Sequence, residues 1–315
     1  MSTLRICILG GTGFVGHALV ARLAADGHNV IVLSRNPAMH SERLLPPGVL
    51  ARQVDVYNPD ELQTHFSGMD VAINLVGILN ERGDSGRGFH HAHVELTQFV
   101  VSACRQAGVR RLLQMSALNA GRGRSHYLKT RGDAEAVVKA SGLAWTIFEP
   151  SVIFGVGDGL FTRFGNLLRL TPLLPLARAN TKFAPVFVGD VVEAFRRALS
   201  EPKSIGEVYE LYGAEVFCLA DLVRMTAQQL GLQRFVLPLP DALGRMQALA
   251  FDLIPGKPFS SDNFRSLLTD SVGGIDGLHR LGIVPTRVAP ILPDILGHAD
   301  AKQARYARYR AQHGE

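Results

Sequence analysis

One stretch constrains this chain more than any other. An apolar run, Leu4 to Leu9, ends in Gly10-Gly11-Thr12-Gly13-Phe14-Val15-Gly16, and a helix-type pattern begins at once. That order is strand, tight turn, helix. Gly11, Gly13 and Gly16 fit G-x-G-x-x-G, and Gly10, Gly13 and Gly16 fit a wider register of the same kind. One glycine permits the turn, another lets backbone approach a pyrophosphate, and Gly16 lets helix pack on strand. The N–H groups and dipole at the helix start then favour phosphate charge. The expectation is a dinucleotide site built from Gly10, Thr12, Gly13, Phe14, Val15 and Gly16.

The same alternation repeats. A helix pattern through Leu19, Val20 and Leu23 stops at Asp26-Gly27, and Asn29 to Leu33 reads as a second buried strand. Val49 to Val56, Asp70 to Gly77 and Arg111 to Ser116 read as the third, fourth and fifth strands, with helices between them. Buried-type strands alternating with helices predict an α/β fold with a doubly wound parallel Rossmann sheet. Ligands in such sheets bind at the carboxyl ends of the strands, where the glycines, Arg35, Asp55, Gly77 and Ser116 all fall.

Arg35 ends the second strand with no acid beside it. An acid there would bond the ribose hydroxyls of NAD, whereas a cation suits the 2′-phosphate of NADP, so NADP(H) is preferred and NAD(H) is the alternative. Asp55 and Val56 stand where an adenine edge would lie, although an aspartate capping its own turn is an equal reading. Leu75, Val76 and Gly77 bring backbone close to whatever lies above the sheet. The polar, glycine-rich run from Asn80 to Gly88 reads as a loop over the site. Phe89-His90-His91-Ala92-His93 lacks metal-ligand spacing and reads as an ordinary helix start, with no metal.

Tyr127 lies on a predicted helix with Arg131 four residues later on the same face, and Lys129 on another. Ser116, Tyr127 and Arg131 are the candidate catalytic set: a hydroxyl for a carbonyl oxygen, a phenol as acid/base, and a cation beside it. A guanidinium is neither a compact point charge nor a proton donor in a relay. Binding of cofactor without turnover is therefore favoured over a working set.

These residues, in this order, resemble the extended, atypical short-chain dehydrogenase/reductase family. Trp145 to Gly155 is similar to that family's sixth strand and nicotinamide-covering loop, which adds Pro150 and Val152 to the expected cofactor contacts. Glu149 departs from the arginine that commonly precedes the proline. Within the family, the chain is most similar to the nucleotide-binding accessory subunits of respiratory complex I and their bacterial relatives. Thr171 to Pro175, Ile254 to Phe264 and Leu267 to Val272 carry that likeness. It implies a bound NADPH, an accessory, structural or redox-sensing role, and a membrane-associated respiratory partner. The alternative is an active oxidoreductase or epimerase on a sugar nucleotide or small carbonyl or quinone compound.

Residues 1–155 are expected to form the dinucleotide-binding domain, with the chain returning to it near 184–212. Residues 156–315 are expected to form a smaller, mainly helical substrate-type lobe. In that lobe Leu160 to Leu170 reads as a helix stopped by the Pro-rich run 171–175, and Phe235 to Pro240 as an extended edge segment. Ala242 to Ile254 is a markedly apolar helix, read first as the core of a small lobe and otherwise as lining a lipid- or quinone-sized pocket or lying against a membrane protein.

At 47% hydrophobic and 19% charged, with a net charge of +5, the composition is that of an ordinary globular protein. No apolar run is long enough to span a bilayer, and no charged-then-apolar leader opens the chain. A cytoplasmic location is expected, with peripheral contact at the inner membrane as an option. No nucleic-acid motif accompanies the basic residues, which include Lys302, Arg305, Arg308 and Arg310 near the end. The cysteines, Cys7, Cys104 and Cys218, are scattered, and the first two are expected to be buried as small hydrophobes.

Overall fold

The computed structural model describes residues 3–35, 45–255 and 257–297. The basic residues from Lys302 to Arg310, and Asn36 and Pro37 after Arg35, lie outside the described residues. β1 (Arg5–Leu9) turns through the glycines into α1 (Phe14–Ala25), and β2 (Asn29–Ser34), β3 (Leu50–Gln53), α2 (Pro59–Phe66) and β4 (Val71–Asn74) follow. One continuous helical stretch then runs from α3 (Arg87–His90) through a π-helical turn, His91–Glu95, into α4 (Leu96–Ala107). Next come β5 (Arg111–Met115), α5 (His126–Lys139), β6 (Ala144–Pro150), β7 (Ile153–Phe154), α6 (Phe161–Leu170) and β8 (Leu173–Ala177). β9 (Lys182–Phe183), β10 (Val186–Phe187), α7 (Val188–Ser200), β11 (Glu207–Leu211), β12 (Phe217–Cys218) and α8 (Leu219–Gln229) follow in turn. β13 (Phe235–Leu239), α9 (Asp241–Asp252), α10 (Ser261–Ser266) and α11 (Gly277–Arg280) come next, and a further helical segment covers 288–297.

The main sheet has seven strands in the order β11-β6-β5-β4-β1-β2-β3, all parallel. The order reverses at β1, so the crevice between the ends of β1 and β4 is the switch point where such sheets bind ligands. β1 is buried on both faces, which is why it reads as a continuous apolar run. Ile6 and Ile8 pack with Leu19, Val32, Phe148 and Phe195 on one side. Cys7 and Leu9 pack with Phe66, Val100, Cys104 and Leu112 on the other. Burial pushes the Cys7 thiol well above its ordinary range and the Cys104 thiol up to about 12, so both are inert core groups.

Two corrections concern the C-terminal part. The run 171–175 does more than stop a helix. From Leu173 it becomes β8, which pairs in parallel with β13, Phe235 opposite Leu173 and Leu239 opposite Ala177. Leu174 and Leu176 face a core shared with α6 and α8. Second, α9 is not a core helix. It buries Gly244 and Ala248, the former against Ala177, and turns Leu243, Met246 and Leu249 outward, with Leu253 just beyond its end 87% exposed. A helix that seats its small residues on a two-stranded sheet must carry its large ones outside. Phe235, Leu237 and Leu173 are exposed too. By the alternation of side chains along paired strands they share the outer sheet face with Ala177, beside α9. No helix among the described residues is long and apolar enough to cross a membrane.

Candidate functional site

The glycine turn is held by its own backbone. Gly10 has φ 78°, and its carbonyl accepts from Gly13 N at 3.1 Å. A Cβ at Gly16 would lie 2.2 Å from that carbonyl oxygen and 2.6 Å from Gly11 Cα, so only glycine lets α1 start here. Gly13 caps α1 in an extended conformation with no side-chain hydrogen bond, and the first turn carries no acid. The N–H groups at the helix start therefore face the crevice without a side-chain competitor, as an anion requires. Thr12, Phe14 and Val15 are half-buried around them. The Phe14 ring stands beside Gly155, beyond β7, 3.4 Å from where a Cβ on that glycine would lie.

Along the other strand ends the predicted residues fall as follows. Arg35 is exposed directly after β2, its guanidinium 6.0 Å from the ring centre of Tyr57. Tyr57 stacks on His91 at 3.9 Å. Burial raises the Tyr57 phenol pKa, with the Arg35 charge opposing. Asp55 accepts from Tyr57 N at 3.0 Å, and its own N–H donates to Glu61 at 3.0 Å, so it caps its own turn; Val56 is buried. Leu75 N donates to Leu9 O at 3.0 Å and Val76 N to the Asn74 side chain at 3.1 Å, which ties this backbone to the sheet. The Pro150 carbonyl accepts from Leu118 and that of Val152 from Val186, which fixes the segment leaving β6.

Arg131 is buried, not solvated like Lys129. Its Nη1 donates to Val76 O at 3.2 Å and Met115 O at 3.1 Å, the carbonyls at the ends of two adjacent strands. Nη2 fills the space that a side chain at Gly77 would take. Nε is buried without a protein partner, and the guanidinium lies 5.5 Å from the Tyr127 ring centre. An orphaned cationic donor, a glycine-lined approach and an uncapped helix start fit a pyridine dinucleotide in this crevice. Ser116 is oriented otherwise than expected. Its hydroxyl donates to the buried Glu135 at 2.6 Å.

Three further residues escaped the sequence reading. His93, taken for part of a plain helix start, is buried in the π-helical turn, its ring 5.6 Å from that of Tyr127. Its Nε2 accepts from Ile78 N at 3.3 Å, so Nδ1 carries the hydrogen and donates to Thr130 Oγ1 at 2.9 Å. Burial, and then the Arg131 charge, push its pKa down to about 2, so the imidazole is neutral. His90 and His91 instead contact Glu95. Asp262 is buried and accepts from the N–H groups of His126 at 2.7 Å and Tyr127 at 3.1 Å, capping α5 from a distant part of the chain. Arg265 bridges Asp262 at 2.9 Å to Asp84 in the loop after β4. Ligand atoms of Asp84, His126 and Asp262 lie within 4.8 Å of one another, but Arg265 already supplies the cation there. Asn263 also holds that loop, through Leu79 O at 3.1 Å. The third residue is Glu135. The motif around Asp262 and Asn263 was visible in the sequence; its target was not.

Residues 10–157 match the NAD(P)H-binding family. The chain is 27% identical over 300 residues to the mitochondrial NADH dehydrogenase [ubiquinone] 1 alpha subcomplex subunit 9 of Arabidopsis thaliana, covering 89% of this chain and 74% of that one. It is 29% identical over 186 residues to a ceramide reductase of Caulobacter vibrioides, covering 59% and 57%. The fold is similar to that of a UDP-glucose 4-epimerase from Thermotoga maritima with UDP-glucose, with a TM-score of 0.77 at 15% identity over 95% of this chain and 100% of that one. Residues 10–157 thus match an NAD(P)H-binding family model, and the chain as a whole shares the fold of that nucleotide-sugar epimerase.

Proposed function

We propose that this protein binds NADP(H) in an accessory, structural or redox-sensing role linked to a respiratory NADH:quinone oxidoreductase, and that holding the cofactor is separate from using it. One observation carries this reading. Two of the three side chains expected to act on a substrate are bonded into the protein's own frame, Arg131 to two strand-end carbonyls and Ser116 to Glu135. The likeness to mitochondrial complex I subunits supports it. So does the exposed apolar face of α9 with β8 and β13, since apolar patches of this kind mark interaction sites.

In this reading Gly10, Thr12, Gly13, Phe14, Val15 and Gly16 hold the pyrophosphate, and Arg35 pairs with the 2′-phosphate. Asp55 and Val56 border the adenine. Leu75, Val76, Gly77 and Arg131 border the nicotinamide ribose, and Ser116, Pro150 and Val152 the nicotinamide. Residues 1–155, with the return at 184–212, form the cofactor unit, and the rest of the chain covers it and carries the partner surface. A bound nicotinamide would carry hydride chemistry; in this reading the protein's part is to hold and orient it and to exclude water.

The second reading is an oxidoreductase or epimerase using Tyr127 as acid/base on a sugar nucleotide, small carbonyl or quinone. It is favoured by the half-buried Tyr127 ring with the buried Arg131 guanidinium 5.5 Å from its centre, a phenol and a cation side by side at the crevice. Purified protein separates the two. Copurifying NADPH that stays reduced across a carbonyl and quinone panel supports the first. Turnover that disappears in Tyr127→Phe while cofactor stays bound establishes the second.

A further inference from the structure

The bond that occupies Ser116 leads further into the protein. Ser116 Oγ donates to Glu135 Oε1 at 2.6 Å, and Lys139 Nζ donates to Oε2 at 2.9 Å. Both oxygens of this buried group are thus taken up by donors. Glu149, at the end of β6, stands beside Ser116, one step beyond the register pair Met115–Phe148 and with Ser116 N donating to Phe148 O at 2.7 Å, which brings its carboxyl to the Glu135 side chain. Two carboxylates have no hydrogen to share, so the proton between them belongs to Glu149.

The surroundings keep it there. Glu210 of β11 is the register partner of Glu149 and adds a third acid. It is itself an acceptor for Gly274 N at 2.6 Å and Ile275 N at 2.9 Å. The cation facing the pair is Lys139, on α5, which is exposed at its end and already bonded to Glu135. Burial raises the Glu149 pKa to about 8, the charge and hydrogen bond of Glu135 and the charge of Glu210 add to it, and Lys139 opposes.

We propose that Glu135 and Glu149 share one proton and, by taking the Ser116 hydrogen, fix Ser116 as a hydrogen-bond acceptor for any ligand group that reaches it. A hydroxyl has one hydrogen; given to Glu135, it leaves Ser116 its lone pairs alone. The group Ser116 takes is then a donor, an O–H or N–H, and not a bare carbonyl oxygen. The pair acts through Ser116 and is a positioning device. It holds whether or not the chain turns over a substrate, and so goes beyond the proposed function.

Infrared spectroscopy of the full chain tests it. A protonated-carboxyl C=O band is expected at pH 7, fading as pH rises through about 8, and Glu149→Gln is expected to remove it. Ser116→Ala is expected to move the fading upward by about half a pH unit, because the lost donor had favoured the ionised pair. A spectrum without such a band at pH 7, or a band that survives in Glu149→Gln, overturns the shared proton. A band whose midpoint ignores Ser116→Ala overturns the coupling to Ser116. If Glu149→Gln does not fold, the band in the unmodified chain and its response to Ser116→Ala decide the matter.

Discussion

Arg131 and Gly77 occupy one another's space: an ideal Cβ on Gly77 would stand 1.8 Å from Nη2 of Arg131. The glycine just beyond β4 is what leaves room for the Arg131 guanidinium to reach the carbonyls at two adjacent strand ends.

Gly77→Ala should therefore expel Arg131 from its two carbonyls. Loss of charge-assisted hydrogen bonds in a buried place costs about 1–3 kcal/mol. We expect a fall in unfolding free energy of that order and at least tenfold weaker cofactor binding, measured by denaturation and calorimetry. Arg131→Lys in the Gly77→Ala background should cost less than it does alone, since the shorter cation leaves the space free. Additive effects in the double-mutant cycle would contradict this contact.

Arg35→Ala should weaken NADPH by about 10- to 100-fold, the worth of a charge-assisted phosphate contact. NADH affinity should hardly change. Parallel titrations with the two nucleotides read the difference, and an equal loss would remove the case for NADP(H).

Asp262→Ala should loosen the start of the helix that carries Tyr127. The residue caps two N–H groups from a buried position. Removing such a cap costs about 1–2 kcal/mol, and Asp262→Asn, which keeps an acceptor, should cost less. Hydrogen exchange at His126 and Tyr127 should speed up in the alanine variant ahead of the rest of the helix.

Stability should fall as pH rises from about 4.5 to about 8 through the Glu149 contribution. Its carboxyl is protonated in the folded protein and ionised in the unfolded chain over that window. The unfolded state thus binds fewer protons, and unfolding free energy declines with pH. Allowing for screening at a partly buried pair, the decline is about 2 kcal/mol. Glu149→Gln should flatten the profile of denaturation midpoints across that range.

Much of this fold was legible because its signals are local. Buried β-branched runs, a glycine turn and helical spacing depend on neighbours in sequence, so the parallel sheet, the cofactor crevice and the shared face of Tyr127 and Arg131 could be read directly. The expected return of the chain near 184–212 is met by β11, Glu207–Leu211, which adds the last strand beside β6. The failures share one cause. α9 was taken for core because apolar spacing says which face is greasy and not what lies opposite it. β8 was missed because its partner, β13, is remote in the chain.

The candidate site divides the same way. The sequence by itself determined which residue types stand at the strand ends and that an arginine follows Tyr127 by four residues on the same helix face. Only the tertiary structure decided where their hydrogen bonds go: Ser116 to Glu135, His93 to Thr130, Asp262 to the start of α5. A hydroxyl or guanidinium bonds whatever acceptor folding brings within about 3 Å. These partners come from segments between 19 and 136 residues away, a distance over which local pattern carries no information.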